Sequence, residues 1–186
     1  HWVRWVRKSA ARRTCRPDAL PTMNKIYRVL FLCTGNSARS IMSEALLTVL
    51  GRGPSLAYPA GRRPAGTVPP LAIEQIRRFD PGFATAALHS KGWADFALPT
   101  APRMDFVITV CDSAAGEACP HWPGQPTTAH WGYPDPAQPP ARQQAFAEVF
   151  AHIRKRVEQF DALPLDWLED DAVRREAVRA IAQRTV

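Results

Sequence analysis

The stretch from Ile26 to Leu50 constrains the fold more than any other part of this 186-residue chain. It opens with a segment whose residues Val29 to Leu32 form an unbroken apolar run, and that run ends at Cys33. A short apolar run without polar alternation suits a strand buried on both faces of a parallel sheet. Residues 34–38 are small or polar and include Gly35. Beyond them Ile41, Met42, Ala45, Leu46, Val49 and Leu50 fall on one helical stripe, over about Arg39 to Leu50, that Gly51 stops. Strand, tight loop and helix in direct succession are the building unit of an α/β fold.

The remaining pattern extends that unit. Ser55 to Tyr58 reads as a short second strand, and Pro59 to Pro70 as loop, being rich in Gly and Pro. Leu71 to Phe79 reads as a helix closed by Asp80-Pro81-Gly82. Met104 to Val110 is a second strong strand that also runs into a cysteine, Cys111. Residues 111–126 read as loop and Thr128 to Trp131 as a short fourth strand. A long amphipathic helix covers about Ala141 to Phe160, with Phe146, Val149, Phe150, Ile153, Val157 and Phe160 on its period. A last helix near Asp166 to Gln183 has a thinner stripe of Leu168, Val173, Val178 and Ile181, so loose packing is expected there. Strands alternating with helices predict an α/β three-layer sandwich with a four-stranded parallel sheet. Ligands of such sheets bind at the carboxyl ends of the strands, which is where Cys33 and Cys111 stand.

Charge and cysteine usage narrow the setting. The net charge is +7, but residues 1–22 hold six basic residues against Asp18 alone and account for +5 of it. The rest of the chain is nearly neutral, so the basic balance carries no case for nucleic-acid binding by the domain. Residues 1–22 read as a basic N-terminal extension and residues 23–186 as a single domain, with Met23 just ahead of the first strand. No apolar run is long enough to cross a bilayer, and no membrane association is expected. Apart from Cys15 in the extension, three cysteines remain, Cys33, Cys111 and Cys119. An odd number, widely spaced, suits a reducing cytoplasmic setting and catalytic thiols better than a disulfide framework. A zinc site joining two of these cysteines to His121 and His130 lacks a usual ligand spacing, and no metal is expected.

The loop Cys33-Thr-Gly-Asn-Ser-Ala-Arg39-Ser40 carries the chemistry. Backbone amides of Thr34, Gly35, Asn36, Ser37, Ala38 and Arg39 can converge on an anion at a helix N-terminus. Arg39 adds a planar fork matched to two oxygens of a tetrahedral oxyanion. The same field predicts a lowered pKa for the Cys33 thiol, with Ser40 able to donate a hydrogen bond to its thiolate. A departing oxygen needs a proton from a carboxylic acid over the loop, whereas Asp135 before Pro136 reads by itself as a turn.

The string Val29-Leu-Phe-Leu-Cys-Thr-Gly-Asn-Ser-Ala-Arg-Ser40 resembles the phosphate-binding loop of the low-molecular-weight protein tyrosine phosphatase superfamily, and more closely the thioredoxin-coupled arsenate reductases built on that fold. The similarity runs from about Met23 to Phe160 and includes His130-Trp-Gly…Asp135-Pro-Ala. It implies Cys33 as nucleophile, Arg39 as oxyanion ligand, Asn36 and Ser40 as loop-shaping residues and Asp135 as general acid. It also implies a relay in which Cys111 attacks a Cys33–arsenic adduct, expelling arsenite, and Cys119 then takes over the disulfide. No bound cofactor is implied, only an external thiol reductant, thioredoxin in preference to glutaredoxin or a small thiol, with phosphate and sulfate as competing oxyanions. Three departures bear on this. Seven residues separate Cys111 from Cys119 where the familiar members have six, Ala38 replaces a cysteine of some relatives, and Pro59 stands where relatives that bind potassium often have Ser. Glu44 remains available to buttress the loop.

Arsenate reduction is therefore the expected activity. The alternatives are a phosphatase acting on phosphomonoesters and a non-enzymatic oxyanion-binding protein. A phosphatase usually carries aromatic residues after its Asp-Pro, whereas Ala137-Gln-Pro-Pro follows here. A binding protein has no use for three aligned thiols.

Overall fold

The structure, a computed structural model, describes residues 25–51, 55–116 and 120–184. The proposed N-terminal extension and Cys119 lie outside the described residues. Four strands, β1 (Tyr27–Cys33), β2 (Ser55–Gly61), β3 (Phe106–Thr109) and β4 (Thr127–His130), pair in the order β2-β1-β3-β4, all parallel. β1 is central and buried along nearly its whole length, as an uninterrupted apolar strand must be. The strand order reverses between β1 and β3, and such a switch point opens a crevice at the strands' carboxyl ends. Cys33 ends β1, and Cys111 follows β3 by two residues, so the two thiols flank that crevice.

The helices are α1 (Arg39–Leu50), α2 (Pro70–Phe79), α3 (Ala94–Ala97), α4 (Asp112–Gly116), α5 (Gln143–Asp161), α6 (Leu165–Glu169) and α7 (Asp171–Gln183). Side chains alternate across β1 and serve two cores. Val29 and Phe31 face Ile41, Met42 and Leu46 of α1, Phe146 and Ile153 of α5, and Val178 and Ile181 of α7. Leu30 and Leu32 face a smaller cluster with Trp122, closed by Trp93, Phe96 and Ala97 around α3. None of the described helices is long and apolar enough to cross a membrane.

The observed elements correct the sequence reading at four places. Residues 59–61 are not loop but the end of β2; Pro59 is tolerated because β2 is an edge strand, where the missing donor costs no second ladder. Pro70 likewise belongs to α2, at its first turn, where a helix N–H lacks a partner in any case. The expected loop after Cys111 begins with helix α4. Finally, the single C-terminal helix is two. Asp170 breaks it by adopting an extended conformation and accepting the amides of Ala172 and Val173 at 2.9 and 3.0 Å, as an N-cap does. Nor is that end loosely packed, because Val178 and Ile181 are fully buried and Trp131 Nε1 donates to the Val178 carbonyl at 3.0 Å.

Candidate active site

The loop between β1 and α1 owes its shape to three neighbours. Asn36 has a φ of 41°, a left-handed conformation that asparagine tolerates better than most residues. Its Nδ2 donates to the Lys91 carbonyl at 3.1 Å, and its Oδ1 accepts from Ser40 Oγ at 2.8 Å. Ser90 Oγ donates to the Gly35 carbonyl at 3.2 Å. The chain leaving β2 lies against the loop, with the Arg63 and Ala65 amides donating to the carbonyls of Thr34 and Gly35 at 2.9 and 2.8 Å. That approach requires Gly61. A Cβ there would stand 2.7 Å from the Asn36 nitrogen and Thr34 oxygen and 2.8 Å from the Cys33 oxygen.

These bonds leave an anion-directed surface. α1 starts at Arg39 with Ala38 as N-cap, no side-chain cap and no acid in its first turn, so the positive end of its dipole is uncompensated. Arg39 is mostly buried; its Nη1 donates to the Tyr133 carbonyl at 3.0 Å and its Nη2 stands 3.7 Å from Asp135 Oδ2. Arg39 Nε is buried without a hydrogen-bond partner, a donor that an oxyanion would satisfy. Asp135 Oδ1 accepts the Ala137 amide at 3.1 Å, so the Asp-Pro-Ala turn aims the other carboxyl oxygen at Arg39.

Cys33 and Cys111 are both buried, both unoxidised, and near enough to perturb each other's ionisation. Thr34 ties Cys111 to the loop, its amide donating to Sγ at 3.3 Å and its hydroxyl lying 3.6 Å away. The two thiols ionise as a unit. The Cys33 thiol is pushed up by the neighbouring Cys111 sulfur and by burial, against the pull of Arg39 and the Gly35 amide. Cys111 is drawn down to about 5 by the neighbouring Cys33 thiol, with Thr34 and the Ala114 amide adding to it and burial opposing. The opposed shifts belong to one coupled pair, so the first proton lost is the pair's rather than that of either sulfur. The sequence reading of a lowered Cys33 pKa counted the loop and not the second sulfur, which opposes the pull of Arg39 and the Gly35 amide. Ser40 also differs from expectation: its hydroxyl proton goes to Asn36 rather than to Cys33.

Residues 28–176 match the family model described as low molecular weight phosphotyrosine protein phosphatase. The chain belongs to that family. Among curated relatives, it is similar to an arsenate reductase of Staphylococcus aureus, 34% identical over 133 residues, covering 71% of this chain and 94% of the relative. An arsenate reductase of Oceanobacillus iheyensis is 31% identical over 130 residues, covering 69% and 88%. A solved arsenate reductase in its phosphate-binding state superposes with a TM-score of 0.61 at 27% identity, covering 74% of this chain and 98% of the other.

Within this low-molecular-weight phosphatase site, the loop residues 33–40, Cys111 and Asp135 come together from β1, α1 and the segments after β3 and β4. Several participants had no signal in the sequence. Ser90 and Lys91 support the loop through one hydroxyl and one carbonyl from a segment without periodicity. Tyr133 acts through its backbone, which no side-chain pattern reports. His130 is engaged between Thr109 Oγ1 at 2.7 Å and Asp112 Oδ1 at 2.9 Å, fastening the end of β4 to the residue after Cys111. Gly132 makes room for that link, since a Cβ there would lie 2.5 Å from Asp112 Oδ1. Glu44 stands behind the loop, with its carboxyl pushed up to about 7 by burial and partly restrained by Lys91.

Proposed function

We infer that the chain is an arsenate reductase, converting arsenate to arsenite at Cys33. The observation that carries this reading is the second buried thiol, Cys111, anchored by Thr34 beside Cys33 at the oxyanion loop. A hydrolytic cycle needs water at that position, whereas a reductive one needs a sulfur.

Arsenate is held by the loop amides and Arg39. Cys33 attacks arsenic as the thiolate, the proton of the coupled pair remaining on Cys111, while Asp135 protonates the departing oxygen as water. Cys111 next attacks Cys33. The new S–S bond takes two electrons' worth of oxidation, arsenic(V) becomes arsenic(III), and arsenite leaves with the Cys111 proton and one from solvent. Cys119 then attacks Cys111, freeing Cys33, and an external dithiol reduces the Cys111–Cys119 disulfide. We assign that role to thioredoxin in preference to glutaredoxin or a small thiol, and the cytoplasm as the compartment, since the relay begins from free thiols. Phosphate and sulfate compete for the loop.

The test is a single turnover of reduced protein with arsenate and no other thiol. Stoichiometric arsenite and a Cys111–Cys119 disulfide are expected. Cys111→Ser should keep oxyanion binding and lose arsenite release. Fast hydrolysis of para-nitrophenyl phosphate without any arsenite would instead establish a phosphatase.

A further inference from the structure

The acid loop is held from behind at three consecutive residues. Trp131 Nε1 donates to the Val178 carbonyl of α7 at 3.0 Å, both residues being fully buried. Arg156, from α5, then spans the gap between the loop and α7. Its Nη1 donates to the Gly132 carbonyl at 3.2 Å and its Nη2 to the Ala182 carbonyl at 3.3 Å. The same guanidinium lies 4.8 Å over the Tyr133 ring, and that ring is buried. The Tyr133 carbonyl is in turn the acceptor for Arg39 Nη1, two residues before Asp135. A continuous chain of contacts therefore runs from α7 through Arg156 and Tyr133 to the oxyanion-binding arginine.

Arg156 is an expensive way to fill that slot. Its Nε is buried without a hydrogen-bond partner, as is the Tyr133 hydroxyl beside it. Burying a cation and an unpaired donor opposes folding, and an apolar side chain of similar length would avoid both costs. What an apolar side chain cannot do is bridge two carbonyls on separate elements. That needs a planar fork with divergent donors, and lysine does not supply one.

We propose that Arg156 is a positioning residue for the oxyanion site: with α7 as its anchor, it fixes Gly132 and Tyr133 so that Arg39 and Asp135 are held in register. This rests on the reading of Arg39 as oxyanion ligand and Asp135 as general acid. Arg156 touches neither arsenate nor the thiols and acts only through the acid loop.

The experiment uses the full chain in the single-turnover arsenite assay, with thermal denaturation to establish folding. Arg156→Ala is expected to lose about tenfold to a hundredfold in rate, the scale set by misplacement of about 1 Å at a reacting centre. Added guanidinium ion should restore much of that loss, and ammonium should not. The rate–pH profile of Arg156→Ala should lose the limb that Asp135→Asn also removes. Arg156→Lys and Arg156→Met fill the slot without the fork and should stay slow, and they serve if the alanine variant does not fold. A folded Arg156→Ala with the wild-type rate overturns the proposal, and so does recovery in Arg156→Met with no response to guanidinium. If Asp135→Asn proves harmless, the general-acid reading fails instead. If Asp135→Asn is inactive and Arg156→Ala unaffected, only the positioning role is lost.

Discussion

Replacing Gly61 by alanine tests whether the loop geometry comes from close packing of backbone on backbone. Gly61 has no left-handed φ, so alanine brings no conformational strain of its own and the effect is purely steric. The added methyl would meet three backbone atoms at 2.7, 2.7 and 2.8 Å, all in the Cys33–Asn36 segment, where ordinary contact begins at 3.4 Å. No flexible side chain is available to yield. Either β2 or the oxyanion loop must therefore move by about 0.7 Å to reach that contact. Overpacking of this kind costs about 1–3 kcal/mol. At about 2–4 °C per kcal/mol for a domain of this size, Tm should fall by about 2–12 °C. The chemical cost should be larger in proportion. A displacement of about 1 Å can cost about a hundredfold, so a shift of this size predicts a loss of about tenfold or more in arsenite formation, with weaker phosphate binding. Gly92 is the control. It bridges Gly61 in the sheet, yet a Cβ there would meet only Pro64 Cγ at 3.6 Å, and Gly92→Ala should change neither quantity by much. Calorimetry for Tm, titration with phosphate and the single-turnover assay read the three effects separately. A Gly61→Ala protein with wild-type phosphate affinity and rate would refute the packing argument.

Other consequences can be measured directly. Because the coupled thiol pair loses its first proton far below the ordinary thiol range, far-ultraviolet thiolate absorbance of the reduced, anion-free protein should persist on acidification until about pH 5 and then vanish, and Cys111→Ser should abolish that transition. Glu44 binds its proton more tightly in the folded chain, so stability should decline as pH rises from about 4.5 towards 7 as that proton is lost; Glu44→Gln should flatten this slope in denaturant titrations at several pH values, and an unchanged slope would count against the buried carboxyl. Asp170→Ala removes the N-cap of α7 and should lower stability by about 1 kcal/mol while sparing phosphate affinity, which equilibrium unfolding and phosphate titration together decide.

Local sequence determined the central unit of this protein. The apolar run of β1, the small-residue loop and the stripe of α1 lie within 25 residues and follow from periodicity, glycine and burial, so the strand-loop-helix unit was legible, with Cys33 and Arg39 at the two ends of its loop. The parallel sheet followed from the alternation of elements. Tertiary structure decided what those residues do together. Thr34 meets Cys111 across 77 positions, and Arg39 meets the Tyr133 carbonyl across 94, because strand order and register bring the segments after β3 and β4 to one crevice. No periodicity encodes which strand ends become neighbours. The ionisation of Cys33 shows the same dependence: a pKa is set by the groups around it in space, and one of them is a second sulfur from another strand end. The C-terminal helix shows the limit again. Its thin stripe suggested loose packing, but two side chains from other elements, Trp131 and Arg156, hold its carbonyls, and backbone acceptors leave no mark in the sequence of the helix that carries them.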